Sequence, residues 1–285
     1  MKLGAHLSIS KGPMAMLNEA QVLGMNAVQA FARNPRGRGE TIVPEADAAV
    51  FRKALADRDV PFVIHAPYYV NVGSGKPNNQ RISREVTKLD LEKGDLLGAS
   101  YVVVHLGTPG EEYDIATADA HTAVTVKDIL DSTEARTMLL LETSAGEKKV
   151  GSRFEQLADI LTQVGQPERL GVCLDTCHLW VSGYDIRDDK MKGVIDEFER
   201  IIGLDRLKVI HLNDTQSEFA RGRDAHWHIG QGQIGEGAFR ELLNDARLQD
   251  KVFLMETPKD NPETGLKDAD AVNLATLKRL TDVRN

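Results

Sequence analysis

The sequence predicts an α/β fold: one (β/α)₈ TIM barrel over residues 1–285, with its active site at the C-terminal ends of the strands. Three observations carry this expectation. Eight apolar runs of strand length alternate with segments of helical spacing. Glycines fall where the preceding helices must stop. No linker or low-complexity tract breaks the series. A doubly wound open sheet is the other arrangement that such alternation allows.

The elements follow in order. The first run covers residues 3–9, and Gly24 closes the helix after it. The second, residues 27–32, feeds a basic turn, "RNPRGRG". The third, residues 61–66, ends in "VIHAPY", and helical spacing over residues 82–97 then stops at Gly98. The fourth and fifth, residues 101–106 and 137–142, end in "VVVHLG" and "LLLETS", with a helix predicted over 154–164. The sixth, residues 171–174, runs into "DTCHLW", and the helix over 191–202 stops at Gly203. The seventh and eighth, residues 208–212 and 252–256, end in "VIHLND" and "FLMETP".

The strand endings carry the chemistry. In a barrel the carboxyl ends of all strands meet at one face. Strands three to eight deliver His65, His105, Glu142, Asp175 with His178, His211 and Glu256 to that face, and the loop after strand seven adds Asp224 and His226. A lone histidine after an apolar run is most often a hydrogen-bonded core or rim residue. The joint pattern differs, because no Lys or Arg interrupts these strand ends. Converging carboxylates and imidazoles without cationic partners repel one another unless metal ions neutralise them. Nine ligands with one bridging carboxylate suit three metals better than one. Imidazole-rich sites favour zinc, while a Glu/Asp/His/Glu subset also suits manganese.

Composition narrows the setting. The chain has 41% hydrophobic and 27% charged residues, ordinary for an enzyme with a sizeable core. No apolar run approaches the length of a membrane span, so no membrane partner is expected. The opening "MKLGAHLSIS" lacks a signal-peptide core, and Cys173 and Cys177 are too close together for a disulfide framework. A cytoplasmic location and a monomer are the expectations. The net charge of −8 argues against a nucleic-acid partner. Three divalent ions against four carboxylates would nevertheless leave the site locally positive and able to attract phosphate.

Taken in order, "GAHLSI", "VIHAPYYVNVG", "GVCLDTCHLWVSGYD", "HLNDTQ" with "RDAHWHIGQGQIG", and "FLMETP" resemble the endonuclease IV family of apurinic/apyrimidinic endonucleases from the first strand to the last. The resemblance implies DNA repair: zinc-dependent hydrolysis, by a metal-bound hydroxide, of the phosphodiester 5′ to an abasic site in double-stranded DNA. The products would be a 3′-hydroxyl and a 5′-deoxyribose phosphate. By motif position it assigns His65, His105 and Glu142 to one ion. Glu142, as the catalytic bridge beside the hydroxide, would share a second ion with Asp175, His211 and Glu256. His178, Asp224 and His226 would hold a third. It also implies DNA contacts from the basic turn with Arg33, Asn34, Arg36 and Arg38, Arg36 aligning with a penetrating arginine and Tyr68 with a stacking aromatic. Gln216 and Ala225 stand where the family usually has lysine and arginine, which removes positive charge near the DNA.

The sequence also admits other readings. A sugar isomerase or epimerase would need one metal on Glu142, Asp175, His211 and Glu256 and would leave the other ligands unexplained. A catalytically silent binder of damaged DNA would not need an intact cluster. "GQGQIG", residues 230–235, matches a dinucleotide fingerprint but follows a long loop rather than a strand, so no nucleotide cofactor is expected. Cys173 reads as core packing. Cys177 lies beside ligands without a clear part. His228 could replace His226, and His6 could support the cluster or face DNA.

Overall fold

A computed structural model describes residues 1–37, 39 and 42–281. Arg38, part of the predicted basic turn, lies outside the described residues.

The strands are β1 (Lys2–His6), β2 (Ala27–Phe31), β3 (Phe62–His65), β4 (Tyr101–His105), β5 (Met138–Glu142), β6 (Leu170–Asp175), β7 (Leu207–His211), a short antiparallel pair β8 (Asp214–Thr215) and β9 (His226–Trp227), and β10 (Val252–Met255). The helices are α1 (Pro13–Leu23), α2 (Glu45–Arg58), α3 (Pro77–Leu97), α4 (Ile115–Asp131), α5 (Phe154–Val164), α6 (Thr176–Val181), α7 (Lys190–Ile201), α8 (Glu236–Asn244) and α9 (Ala269–Thr281). Eight parallel strands close in the order β1-β10-β7-β6-β5-β4-β3-β2, which excludes the open sheet. None of the described helices is long and apolar enough to cross a membrane.

Local chemistry sets these elements. Pro13 and Pro77 open α1 and α3, where a missing N–H costs nothing. Gly24 and Gly98 close them in the left-handed region, at φ 76° and 71°. Asp114 caps α4 by accepting the Thr117 N–H at 2.8 Å. A Cβ at Gly4 would stand 1.8 Å from the Ala27 carbonyl oxygen, so only glycine lets β1 approach β2.

Two apolar layers follow from strands buried on both faces. Ala27, Val63, Val103, Leu140, Cys173, Val209 and Leu254 fill the barrel interior. Alternate residues such as Val28, Ile64, Val104, Leu141 and Ile210 pack outward on the helices. Cys173 is core packing, as expected. The first strand is shorter than predicted: it leaves the ladder after His6, although Leu7 and Ile9 stay buried.

Candidate metal centre

Strand register builds the centre. His105 lies opposite Glu142, and Asp175 opposite His211. β6 hands over directly to α6, and the Asp175 carboxylate accepts the His178 N–H at 2.9 Å, capping that helix. One side chain thereby fixes where His178 points. The β8–β9 pair, Thr215 opposite His226, folds the long loop back so that Asp224 and His226 reach the same place.

Glu142 is wholly buried and central. Its Oε2 lies 3.3 Å from His65 Nε2 and 3.4 Å from His105 Nδ1. Its Oε1 lies 3.1 Å from His211 Nδ1 and 3.4 Å from His178 Nδ1. His211 Nδ1 is also 3.3 Å from Glu256 and 3.7 Å from Asp175. Asp224 spans His178 Nε2 at 3.2 Å and His226 Nε2 at 3.0 Å. Three groups built only from imidazoles and carboxylates have ligand atoms within 4.8 Å of one another, His65–His105–Glu142, Glu142–Asp175–His211–Glu256, and His178–Asp224–His226; two further groups add a thiol, Glu142–Cys173–His211 and Asp175–Cys177–His226. All nine residues singled out in the sequence are therefore brought together. A cavity of about 340 Å³ opens above them, lined by His65, Tyr68, His105, Asp224, His226 and Glu256 among others.

The outward ring nitrogens are already engaged. His65 Nδ1 donates to the Ala66 carbonyl at 2.7 Å and His178 Nδ1 to the Thr143 carbonyl at 2.7 Å. His211 Nε2 donates to Gln29 Oε1 at 2.9 Å. Each bond lets the other nitrogen of the neutral ring aim a lone pair inward, the orientation that metal-ligating histidines take. Gln29 and Asn213 are supporting residues that the sequence reading missed. Gln29 donates to Glu256 at 2.5 Å, and Asn213 donates to Asp175 at 2.7 Å. A glutamine inside the otherwise apolar run of β2 was the available signal.

Without a cation the charges of the cluster conflict. Burial opposes charge on His65, but Glu142 and Glu256 outweigh it and raise its pKa to about 9. Burial wins at His105, which falls to about 4. The same carboxylate thus leaves two neighbouring imidazoles with opposite preferences. Buried Glu142 Oε2, His178 Nε2 and His226 Nε2 have no hydrogen-bond partner. Three carboxylates and an imidazole at one group, and imidazole-rich sets at the other two, fit divalent cations.

The predicted DNA contacts divide. Asn34 and Arg36 are exposed, and Asn34 Oδ1 accepts the Arg36 N–H at 3.0 Å, which shapes the turn. Tyr68 is 61% exposed at the cavity wall and packs edge-on against Phe31, 5.1 Å between centroids. Arg33 departs from the expectation. It is buried, and its Nε donates to Asp90 of α3 at 2.7 Å, so its guanidinium anchors the turn from beneath rather than facing solvent.

The remaining alternatives separate as well. His228 is turned away, its Nδ1 3.2 Å from Asn273, and joins none of the three groups. His6 lies beside the cluster, 3.1 Å from Gln29 and 3.5 Å from Glu256. The "GQGQIG" loop wraps a carboxylate of this chain: Asp214 accepts the N–H groups of Gly232, Ile234 and Gly235 at 3.0, 2.9 and 3.2 Å. The nest that a cofactor phosphate would need is filled.

Fold and cluster together define a class, the xylose isomerase-like TIM barrels, whose family model matches residues 17–276. Endonuclease 4 of Thermus thermophilus is 40% identical, over 97% of this chain and 97% of that protein. The crystal structure of endonuclease IV from Thermus thermophilus matches with a TM-score of 0.86 at 38% identity, covering 100% of both chains. The chain belongs to the endonuclease IV family. A D-tagatose 3-epimerase-like protein, at 18% identity and a TM-score of 0.73 over 99% of this chain and 98% of that one, shares the fold.

Proposed function

We propose that this protein is a metal-dependent DNA-repair endonuclease that hydrolyses the phosphodiester 5′ to an abasic site in double-stranded DNA, leaving a 3′-hydroxyl and a 5′-deoxyribose phosphate. One observation carries the reading beyond family membership: the group His178–Asp224–His226 stands complete beside the other two. A single-metal sugar isomerase has no use for it, nor for the pair His65 and His105.

The proposed ligand sets are His65, His105 and Glu142; Glu142, Asp175, His211 and Glu256; and His178, Asp224 and His226. Three zinc ions, or manganese at the carboxylate-rich set, would supply Lewis acidity at the phosphate and a nucleophile at neutral pH. Glu142 would bridge two sets, since each of its oxygens faces a different pair of imidazoles. Gln29 and the Ala66 and Thr143 carbonyls would hold the histidine tautomers. Tyr68 and Arg36, beside the cavity and outside the ligand sets, would meet DNA opened at the lesion, with Asn34 holding the turn. An abasic nucleotide stacks poorly and is cheap to extrude.

Two free cysteines support a reducing compartment such as the cytoplasm. The barrel closes between β1 and β10, near the two ends of the chain, which supports reading residues 1–285 as one domain.

Elemental analysis and a cleavage assay on an abasic duplex test the reading together. The expected result is about three ions per chain, activity abolished by prolonged chelation, and activity restored by zinc or manganese. Full activity in verified metal-free protein sinks it.

A further inference from the structure

We infer that Cys177 is a positioning residue for the group His178–Asp224–His226, its thiol serving as the hydrogen-bond donor that orients the Asp224 carboxylate toward a cation. This rests on the three-ion reading above.

Cys177 sits in α6 directly before His178 and is fully buried. Its Sγ lies 3.7 Å from Asp224 Oδ1. Asp224 needs outside support. It arrives on an exposed loop between β8 and β9, and its side chain remains 38% exposed. Its close contacts are the two histidines, at 3.2 and 3.0 Å, and Cys177.

The histidines cannot hold Asp224 once they bind a cation. His178 Nδ1 carries its proton to the Thr143 carbonyl, which leaves Nε2 as a lone pair. His226 Nδ1 lies 3.4 Å from the Glu256 carbonyl oxygen, with Nε2 likewise turned inward. Both Nε2 atoms face Asp224, at 3.2 and 3.0 Å. Two lone pairs facing a carboxylate repel it, and a cation reverses that only where the carboxylate is already aimed. Among the described residues, the Cys177 S–H is the one donor to Asp224 that survives when both imidazoles give their lone pairs to a metal. A thiol is a weak donor. Partners that orient a metal ligand nonetheless change metal affinity by about 10–100-fold when removed.

Asp175, Cys177 and His226 also converge within 4.8 Å, so thiolate ligation is the competing role. Serine separates the two. It keeps an O–H donor for Asp224 and is a poor ligand for a soft site.

The test is zinc titration of the full chain against a competing chelator, for wild type, Cys177→Ala and Cys177→Ser, with circular dichroism to verify folding. The expected result is one ion bound about 10–100-fold more weakly in Cys177→Ala, the other two unchanged, and most of the loss recovered in Cys177→Ser. Cys177→Val, larger than cysteine and without a donor, takes the place of alanine if that variant does not fold. Wild-type affinities in the donor-free variant overturn the inference alone. So does a serine variant as weak as alanine, which would assign Cys177 to packing or to thiolate ligation. A wild type that holds fewer than three ions overturns the three-ion reading, and the inference with it.

Discussion

Asp175 and His178 are joined through the backbone: the Asp175 Oδ1 accepts the His178 N–H at 2.9 Å, so the residue that ends β6 also caps the helix that carries the histidine. The second oxygen, Oδ2, accepts from Asn213 at 2.7 Å and faces His226 at 3.6 Å and His211 at 3.7 Å. One carboxylate therefore serves two groups of the cluster and the fold between them.

The two jobs separate in Asp175→Asn. Asparagine caps a helix about as well as aspartate. Its amide would set a donor against the Asn213 donor and remove a charge from the cluster. The folded, metal-free variant is expected to melt close to wild type. Metal content should fall by about one ion, and cleavage by more than the roughly 10–100-fold that an outer partner costs. Normal metal content in this variant would place Asp175 outside the ligand set.

The basic turn gives a contrast between neighbours. Arg36→Ala and Tyr68→Ala should weaken cleavage of an abasic duplex with metal content and melting unchanged. Loss of an aromatic platform costs about 1–3 kcal/mol, or roughly tenfold and more. Arg33→Ala should instead destabilise the protein, because it leaves Asp90 buried without the guanidinium; breaking a buried pair costs about 3–5 kcal/mol. Thermal melts beside kinetics distinguish the two behaviours, and a stable Arg33 variant with raised KM would restore its DNA-facing assignment.

What the sequence made legible follows from what is local. Strands buried on both faces announce themselves as apolar runs, and the proposed ligands stand at their ends because the chain must leave the core there. Leu7 and Ile9 extended the first run because burial continues past the ladder. α6 and the β8–β9 pair are too short to carry a period. Arg33 read as part of a solvated basic turn because its partner, Asp90, lies 57 positions away on α3. Gln29 became intelligible only once barrel closure set it against His211 and Glu256.

Acid stability should depend on Asp95, at the end of α3. Its carboxylate accepts the Arg136 N–H at 2.9 Å, and the Thr137 N–H and O–H at 2.8 and 2.7 Å, tying α3 to the start of β5. Burial works against the charge, and these donors outweigh it, so the folded pKa lies below the ordinary one. A depressed carboxyl stabilises the fold above its unfolded pKa of about 3.9, and that contribution is lost as pH falls below it. Asp95→Asn should cost about 1 kcal/mol at neutral pH, with a gap to wild type that narrows toward pH 3. Denaturant unfolding of both proteins across that window reads the gap. A gap that widens on acidification would reverse the sign.

The sharpest test of the site lies in two histidines two residues apart. Mutating Glu142, Asp175, His211 or Glu256 cannot separate a nuclease from a single-metal isomerase, since both would use them. His226 and His228 can. His226 Nε2 stands 3.0 Å from Asp224 within one ligand group, whereas His228 is buried against Asn273 and outside all three. His226→Ala should lose one ion and cut cleavage by more than about 100-fold, beyond the usual cost of an outer partner. His228→Ala should keep every ion and cleave within a few-fold of wild type, and any harm should appear as a lower melting temperature. Elemental analysis, melting and cleavage on both variants decide between the histidines. If His228→Ala loses the ion and His226→Ala keeps it, the Asp-x-His assignment is wrong. If neither variant changes the count because the wild type holds one ion, the third group is not a metal site, and the single-metal isomerase reading moves ahead of the nuclease.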